Sequence, residues 1–178
     1  IEDTFDEIPD IADGIVWVDS DIRLKSDSIW RLMTQVELTG HDFISGVYHN
    51  RTGELRPCFY NRDEEGKLRQ SIFYEDNLLK PEGAVGFGFC WTSSSLIQKI
   101  KALPHFSKDR GGWFPDHHFG DTSEDLGFCK LAFDAGVQLY VDTGIQVDHL
   151  GDVQFVNKEN YVKSLIDRSG GVLPKEMK

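Results

Sequence analysis

Gly14-Ile15-Val16-Trp17-Val18-Asp19-Ser20-Asp21 joins an apolar run to two acidic residues. A short run rich in β-branched and aromatic residues is typical of a buried strand. Two carboxylates one residue apart, just past the end of a strand, can jointly hold a hard divalent cation. Because ligands of open α/β sheets bind beyond the carboxyl ends of strands, this stretch predicts a core strand with a candidate site at its end. The alternative is a solvated turn that caps the next helix.

Strands and helices are predicted to alternate along the rest of the chain, because apolar residues recur with the spacing of each between turn signals. The segments that flank 62–66 favour a β-hairpin, which would make the sheet mixed. The sequence therefore predicts an α/β fold with a central mixed β-sheet and flanking helices. The predicted strands cover 14–18, 43–48, 55–61, 68–74, 83–91, 137–141 and 145–147; helices begin at Ser26, at Thr92 or Ser93 and at Ser123, and another covers 161–166; loops cover 75–82 and 104–122.

A single domain is expected over 1–178, since 178 residues suffice for one domain with a core. Residues 1–13 are acidic and are predicted to form an arm, and 153–178 are predicted to hold the last helix and a polar tail. The net charge of −11 and the lack of a basic stripe argue against nucleic acid as a partner. The apolar runs are too short to form a transmembrane segment.

Three cysteines, Cys58, Cys90 and Cys129, follow no spacing that is typical of zinc sites. An odd number of thiols, two of them among apolar residues, favours reduced side chains in the core. A reducing compartment, and therefore a cytoplasmic location, is the expectation.

Two further features carry groups that can do chemistry. Glu124-Asp125 is predicted to lie in the first turn of a helix, where one carboxylate could act as a general base. Acids in that position also interact favourably with the helix dipole, which is the structural alternative. His149 follows the last predicted strand, and a neutral imidazole could complete a metal site begun by carboxylates. A lone histidine after a strand is more commonly structural.

A rival metal cluster is offered by His117-His118 with Asp116 and Asp121. Adjacent side chains on an extended loop point apart, so one ion would not easily take both histidines. A solvated loop is the favoured interpretation.

The ordered set of motifs resembles one family. Four features follow one another along the chain: the strand with Asp19-Ser20-Asp21, a later Gly-rich strand, the helix beginning at Glu124-Asp125 and the final strand with His149. This order resembles that of GT-A-type glycosyltransferases of family 2. The resemblance covers about residues 14–152 and concerns the distal, catalytic half of that fold.

The resemblance implies a role for each matched residue. Asp21, and less directly Asp19, would bind Mn²⁺ or Mg²⁺ together with His149. Asp125 would be the base for the acceptor hydroxyl, with Glu124 beside it. The first helical turn is expected to keep that base ionised. Gly86, Phe87 and Gly88 would form a wall near the donor sugar, and Trp113 and Phe114 would lie on the acceptor side.

The implied partners are a nucleotide-sugar donor, UDP- or GDP-linked, and a glycan or another hydroxyl acceptor. A GT-A domain has a nucleotide-binding βαβ unit before its acidic pair, but only 18 residues precede Asp19 here. An incomplete fragment is therefore expected, with a further polypeptide segment that supplies this unit, and with weak donor binding by the chain alone. The alternatives are a metal-dependent phosphoryl-transfer enzyme that uses Asp19 and Asp21, or a non-catalytic carbohydrate-binding or assembly module.

Overall fold

The computed structural model describes residues 8, 11–51, 53–75, 77–107, 112–114, 123–151 and 155–169. Most of the predicted elements are present, with shifted ends. In chain order the strands are β1 (Gly14–Val18), β2 (Ile22–Arg23), β3 (Phe43–Val47), β4 (Phe59–Arg62), β5 (Leu68–Gln70), β6 (Leu78–Leu79), β7 (Ala84–Val85), β8 (Phe89–Ser93), β9 (Tyr140–Gln146), β10 (Asp148–Leu150) and β11 (Phe155–Val156). The helices are α1 (Ser28–Thr39), α2 (Ser94–Lys101), α3 (Glu124–Asp134) and α4 (Lys158–Arg168).

The central sheet has five strands in the order β1-β8-β3-β9-β6. Strands β3 and β9 run parallel, while β1 with β8, β3 with β8 and β6 with β9 are antiparallel. The prediction of an α/β fold with a central mixed sheet is therefore confirmed. Two three-stranded sheets, β5-β4-β7 and β11-β10-β2, lie beside it. The predicted hairpin is present as β4 and β5, which are shorter than expected.

Side chains along the central strands alternate between two apolar layers, as the pleat of a strand requires. On β3, Phe43 belongs to the layer that contains α2 and α3, whereas Ile44 belongs to the layer that contains α1. On β8, Cys90 faces the first layer, and Phe89 and Trp91 face the second. The sheet is therefore covered on both faces. Among the described helices, none is both long and apolar enough to cross a membrane.

Several predicted boundaries are wrong, and two of them bear on the site. The segment 83–91 is two strands in different sheets, β7 and β8, with Gly86-Phe87-Gly88 at the break between them. The segment 75–82 contains β6, whose two residues complete the central sheet. The regions 137–141 and 145–147 merge into β9. Helix α1 is preceded by Asp27 rather than Ser26 at its N-cap, and Ser93 caps α2 as expected.

Candidate active site

A short strand pairing brings the acidic pair to the final histidine. Strand β2 follows Asp19-Ser20-Asp21 and pairs antiparallel with β10, with Ile22 opposite His149. The backbone N–H of Leu150 donates to the carbonyl oxygen of Asp21 over 2.8 Å. Because of this pairing, Nε2 of His149 lies 3.3 Å from Oδ2 of Asp21 although 128 residues separate them in the chain. An ion pair between Arg23 and Asp148 holds the same two strands together.

The orientation of the His149 ring is determined by the backbone. Its Nδ1 lies 2.8 Å from the carbonyl oxygen of His49, which can only accept a hydrogen bond, so Nδ1 carries the proton. In the neutral ring, Nε2 then carries a lone pair and is an acceptor. It faces the Asp21 carboxylate, which is also an acceptor. A lone pair and a carboxylate oxygen at this distance can be bridged by a proton or by a cation. The geometry therefore suits a cation between Asp21 and His149.

The remaining motif, Glu124-Asp125, meets the acidic pair on the segment between β7 and β8. Oδ2 of Asp125 accepts a hydrogen bond from the N–H of Phe87 over 3.2 Å. The N–H of Asp19 donates to the carbonyl oxygen of Gly88, the next residue, over 3.0 Å. Asp125 and Asp19 are therefore anchored to neighbouring residues, and Asp21, which contacts His149, lies two residues after Asp19. The structure brings all three sequence motifs into one acidic cluster: Asp19, Asp21, Glu124, Asp125 and His149.

Burial and mutual repulsion alter the titration of this cluster. Burial raises the pKa of Asp125 from 3.8 to about 6; the N–H of Phe87 opposes the rise, and the charges of Glu124 and Asp19 add to it. Burial also raises the pKa of Asp19, with the charge of Asp21 adding to the effect and His149 opposing it. The stabilisation of the charged form expected from the first turn of α3 is outweighed by burial. Asp125 remains largely ionised at pH 7.

Asp125→Asn is expected to stabilise the cation-free chain at pH 8 but hardly at pH 4. The pKa of Asp125 is raised in the folded state, so the stability that its protonated form contributes is complete below about pH 4 and is lost as pH rises through about 6. Asparagine carries no charge and escapes this loss, which amounts to at most about 3 kcal/mol. Urea unfolding at pH 4, 6 and 8 measures the difference. Glu37→Gln, an exposed substitution on α1, is the control; an equal difference at pH 4 and pH 8 would contradict the assignment.

The buried phenol of Tyr48 supports the segment that anchors the two carboxylates. The N–H of Gly88 donates to Oη of Tyr48 over 3.2 Å, and the Tyr48 ring meets the His149 ring edge to face, with centroids 5.3 Å apart. A Cβ at Gly86 would lie 2.0 Å from Oη of Tyr48, and one at Gly88 would lie 2.8 Å from its ring. Glycine is required at both positions because the backbone passes directly over this ring.

Gly86→Ala is expected to lower the free energy of unfolding by about 1–3 kcal/mol, the usual cost of overpacking a well-packed core. Tyr48→Phe should recover part of the loss, because it removes the atom nearest to the new methyl group. Gly144→Ala is the control, since among the described residues beyond its chain neighbours its Cβ would approach Oδ1 of Asp142 alone, at 3.1 Å. Urea unfolding measures the effects in the unchanged chain, the Gly86→Ala variant, the double variant with Gly86→Ala and Tyr48→Phe, and the Gly144→Ala variant. Equal stability of the Gly86→Ala and Gly144→Ala variants would refute the packing argument.

The aromatic residues expected near the sugars lie mainly in the core. The Phe87 side chain is 4% exposed and packs on Phe128, with centroids 4.7 Å apart, so a wall at this position would be formed by backbone. Trp113 is fully buried against Phe106, which does not allow direct contact with an acceptor in this conformation. Phe114 is half-buried and stacks on Phe128. Their positions are explained by core packing.

Two residues of the site were not expected from sequence. Tyr48 closes a predicted strand and Arg51 lies in the following loop, and neither belongs to a motif. Nη1 of Arg51 donates to Oδ2 of Asp21 over 2.7 Å. The sequence holds no signal for this ion pair, because 30 residues separate the partners. The rival cluster of Asp116, His117, His118 and Asp121 lies outside the described residues.

Comparisons with known proteins add evidence on the fold. No protein-family model matches this chain, and no curated protein matches it. A solved structure, titled "Crystal Structure of A197 from STIV", is similar with a TM-score of 0.55 and 17% sequence identity. The similarity covers 89% of this chain and 70% of that one. At this identity the likeness concerns the fold alone.

Proposed function

We propose that this chain carries the catalytic half of a metal-dependent glycosyltransferase, which moves a sugar from a nucleotide-sugar donor to a hydroxyl acceptor. The observation that carries the proposal is the contact of Asp21 with His149, together with the anchored carboxylate of Asp125, which interacts with the charge of Asp19. A cation site next to a buried carboxylate with a raised pKa is the combination that such a transfer needs. The order of the same motifs in the sequence resembles GT-A-type enzymes.

The two side chains that would bind the metal suit Mn²⁺ or Mg²⁺ that is also bound by the phosphates of a substrate. Asp21 and His149 would hold the ion, and Asp19 would add negative charge nearby. Within the described part of the chain, no group of three His, Cys, Asp or Glu side chains is arranged to hold a metal. Magnesium-type sites commonly use one or two carboxylates and take further oxygens from substrate phosphates. The pair is therefore consistent with an ion that arrives together with a diphosphate.

The surroundings of the Asp125 side chain support its proposed role as the base. Its Oδ2 is occupied by the N–H of Phe87, which leaves Oδ1 to take the proton of an acceptor hydroxyl. As the acceptor oxygen bonds to the anomeric carbon, the bond from that carbon to the diphosphate breaks, and the carbon inverts. When bound, the divalent cation offsets the charge that accumulates on the departing diphosphate. The raised pKa of Asp125 suits a base that works near neutral pH.

The proposal is tested by release of nucleoside diphosphate from UDP- and GDP-linked sugars. The chain is supplied with millimolar donor and with Mn²⁺ or Mg²⁺. Release that stops on addition of EDTA and returns with excess Mn²⁺ supports the assignment. The proposal would be refuted if no donor gave either release of nucleoside diphosphate or cation-dependent binding. A phospho-aspartyl intermediate trapped on Asp19 would instead support phosphoryl transfer.

A further inference from the structure

The acidic cluster contains an ion pair that the proposed chemistry does not use. Nη1 of Arg51 lies 2.7 Å from Oδ2 of Asp21, the same oxygen that faces Nε2 of His149 at 3.3 Å. One carboxylate oxygen is thus shared by a guanidinium and an imidazole. Because the guanidinium keeps its charge at all physiological pH values, it partly neutralises the cluster when no metal ion is present.

Arg51 and a divalent cation cannot both keep their full interaction with Asp21. Both are positive and both require Oδ2 of this carboxylate, so binding of the cation brings two like charges within a few ångströms. The Arg51 side chain is 53% exposed, and its one described ion-pair partner is Asp21. The N–H of the neighbouring Asn50 donates to the carbonyl oxygen of Arg56 over 2.8 Å, which fixes the base of the loop. The side chain can therefore leave while the backbone stays in place.

We propose that Arg51 is an exchangeable partner of Asp21. Its guanidinium holds the Asp21 carboxylate while the cation is absent, and it moves onto the diphosphate of the donor when cation and donor bind. This inference rests on the proposed function and adds a donor-binding residue to it. A planar guanidinium forms paired hydrogen bonds with phosphate oxygens, so the displaced side chain gains a new anionic partner next to the old one. The exchange couples cation binding to donor binding.

The test uses Arg51→Met, which retains the length of the side chain and removes its charge. Mn²⁺ binding without nucleotide is measured by electron paramagnetic resonance, and binding of inorganic pyrophosphate at saturating Mn²⁺ is measured by calorimetry. The variant should bind Mn²⁺ about tenfold more tightly, because a competing cation is gone. It should bind Mn²⁺-pyrophosphate about tenfold more weakly, because the charge-assisted hydrogen bonds are lost. Arg51→Lys should bind Mn²⁺ like the unchanged chain but bind pyrophosphate less tightly.

Arg31→Met is the matched control. Arg31 pairs with Asp27 at the same distance of 2.7 Å and is 51% exposed, but this pair lies at the N-terminal end of α1. Both affinities should be unchanged in this variant. Equal Mn²⁺ affinity of the Arg51→Met and unchanged chains would contradict the exchange, although the proposed cation site would still be supported. Tighter Mn²⁺ binding with unchanged pyrophosphate affinity would overturn the role in donor binding. Absence of Mn²⁺ binding from every variant, both alone and with pyrophosphate, would overturn both this inference and the proposed function.

Discussion

Asp125→Asn is expected to lower turnover by about 10²–10⁴-fold in a preparation that transfers sugar, the usual contribution of a general base. Asparagine can still accept the hydrogen bond from Phe87, so the local geometry is kept while the proton acceptor is lost. Affinity for donor and cation should change little. Transfer rates at saturating acceptor, together with Mn²⁺ binding, measure the two effects separately.

The stability of the same variant separates a catalytic role from a structural one. At pH 8 the loss of a buried charge should make Asp125→Asn at least as stable as the unchanged chain, even as turnover falls. Glu124→Gln is the neighbouring control, because this exposed side chain should affect acceptor affinity more than turnover. Full turnover of Asp125→Asn with acceptor saturating would show that the base assignment is wrong. A retaining mechanism, which asks for no base at this position, would then be favoured.

Asp21→Asn is expected to weaken Mn²⁺ binding by at least about 100-fold, because the carboxylate that faces Nε2 of His149 is the central ligand of the candidate site. In the unchanged chain, Mn²⁺ at about 100 times its dissociation constant should add about 2.7 kcal/mol to the free energy of unfolding. The variant should lose this stabilisation. Thermal unfolding with and without Mn²⁺ measures it directly.

Asp27→Asn provides the control for Asp21→Asn. Asp27, the N-cap residue of α1, is also paired with an arginine at 2.7 Å. Its substitution should leave the stabilisation by Mn²⁺ intact. If Mn²⁺ stabilises Asp21→Asn as much as Asp27→Asn, the cation binds elsewhere. His149→Ala would then also be without effect, and the proposed site would have to be abandoned.

Much of the fold is predictable because its signals are local. The apolar run that ends at Asp19 is β1, Ser93 caps α2, and the polar segment 62–66 closes a hairpin. The errors arose where tertiary contacts override local pattern. The run 83–91 reads as one strand, yet the close packing of Gly86 and Gly88 on Tyr48 diverts its middle, so that its two ends join different sheets.

The sequence by itself determined the alternation of strands and helices and the placement of acidic residues after β1 and at the start of α3. Side-chain periodicity and capping are properties of neighbouring residues, so they can be read without coordinates. Only the tertiary structure decided which groups meet. The pairing of β2 with β10 places His149 against Asp21, and long-range packing gives Asp125 its raised pKa and Asp21 its contact with Arg51. Burial and charge at a site depend on what packs around it, and no local pattern encodes that.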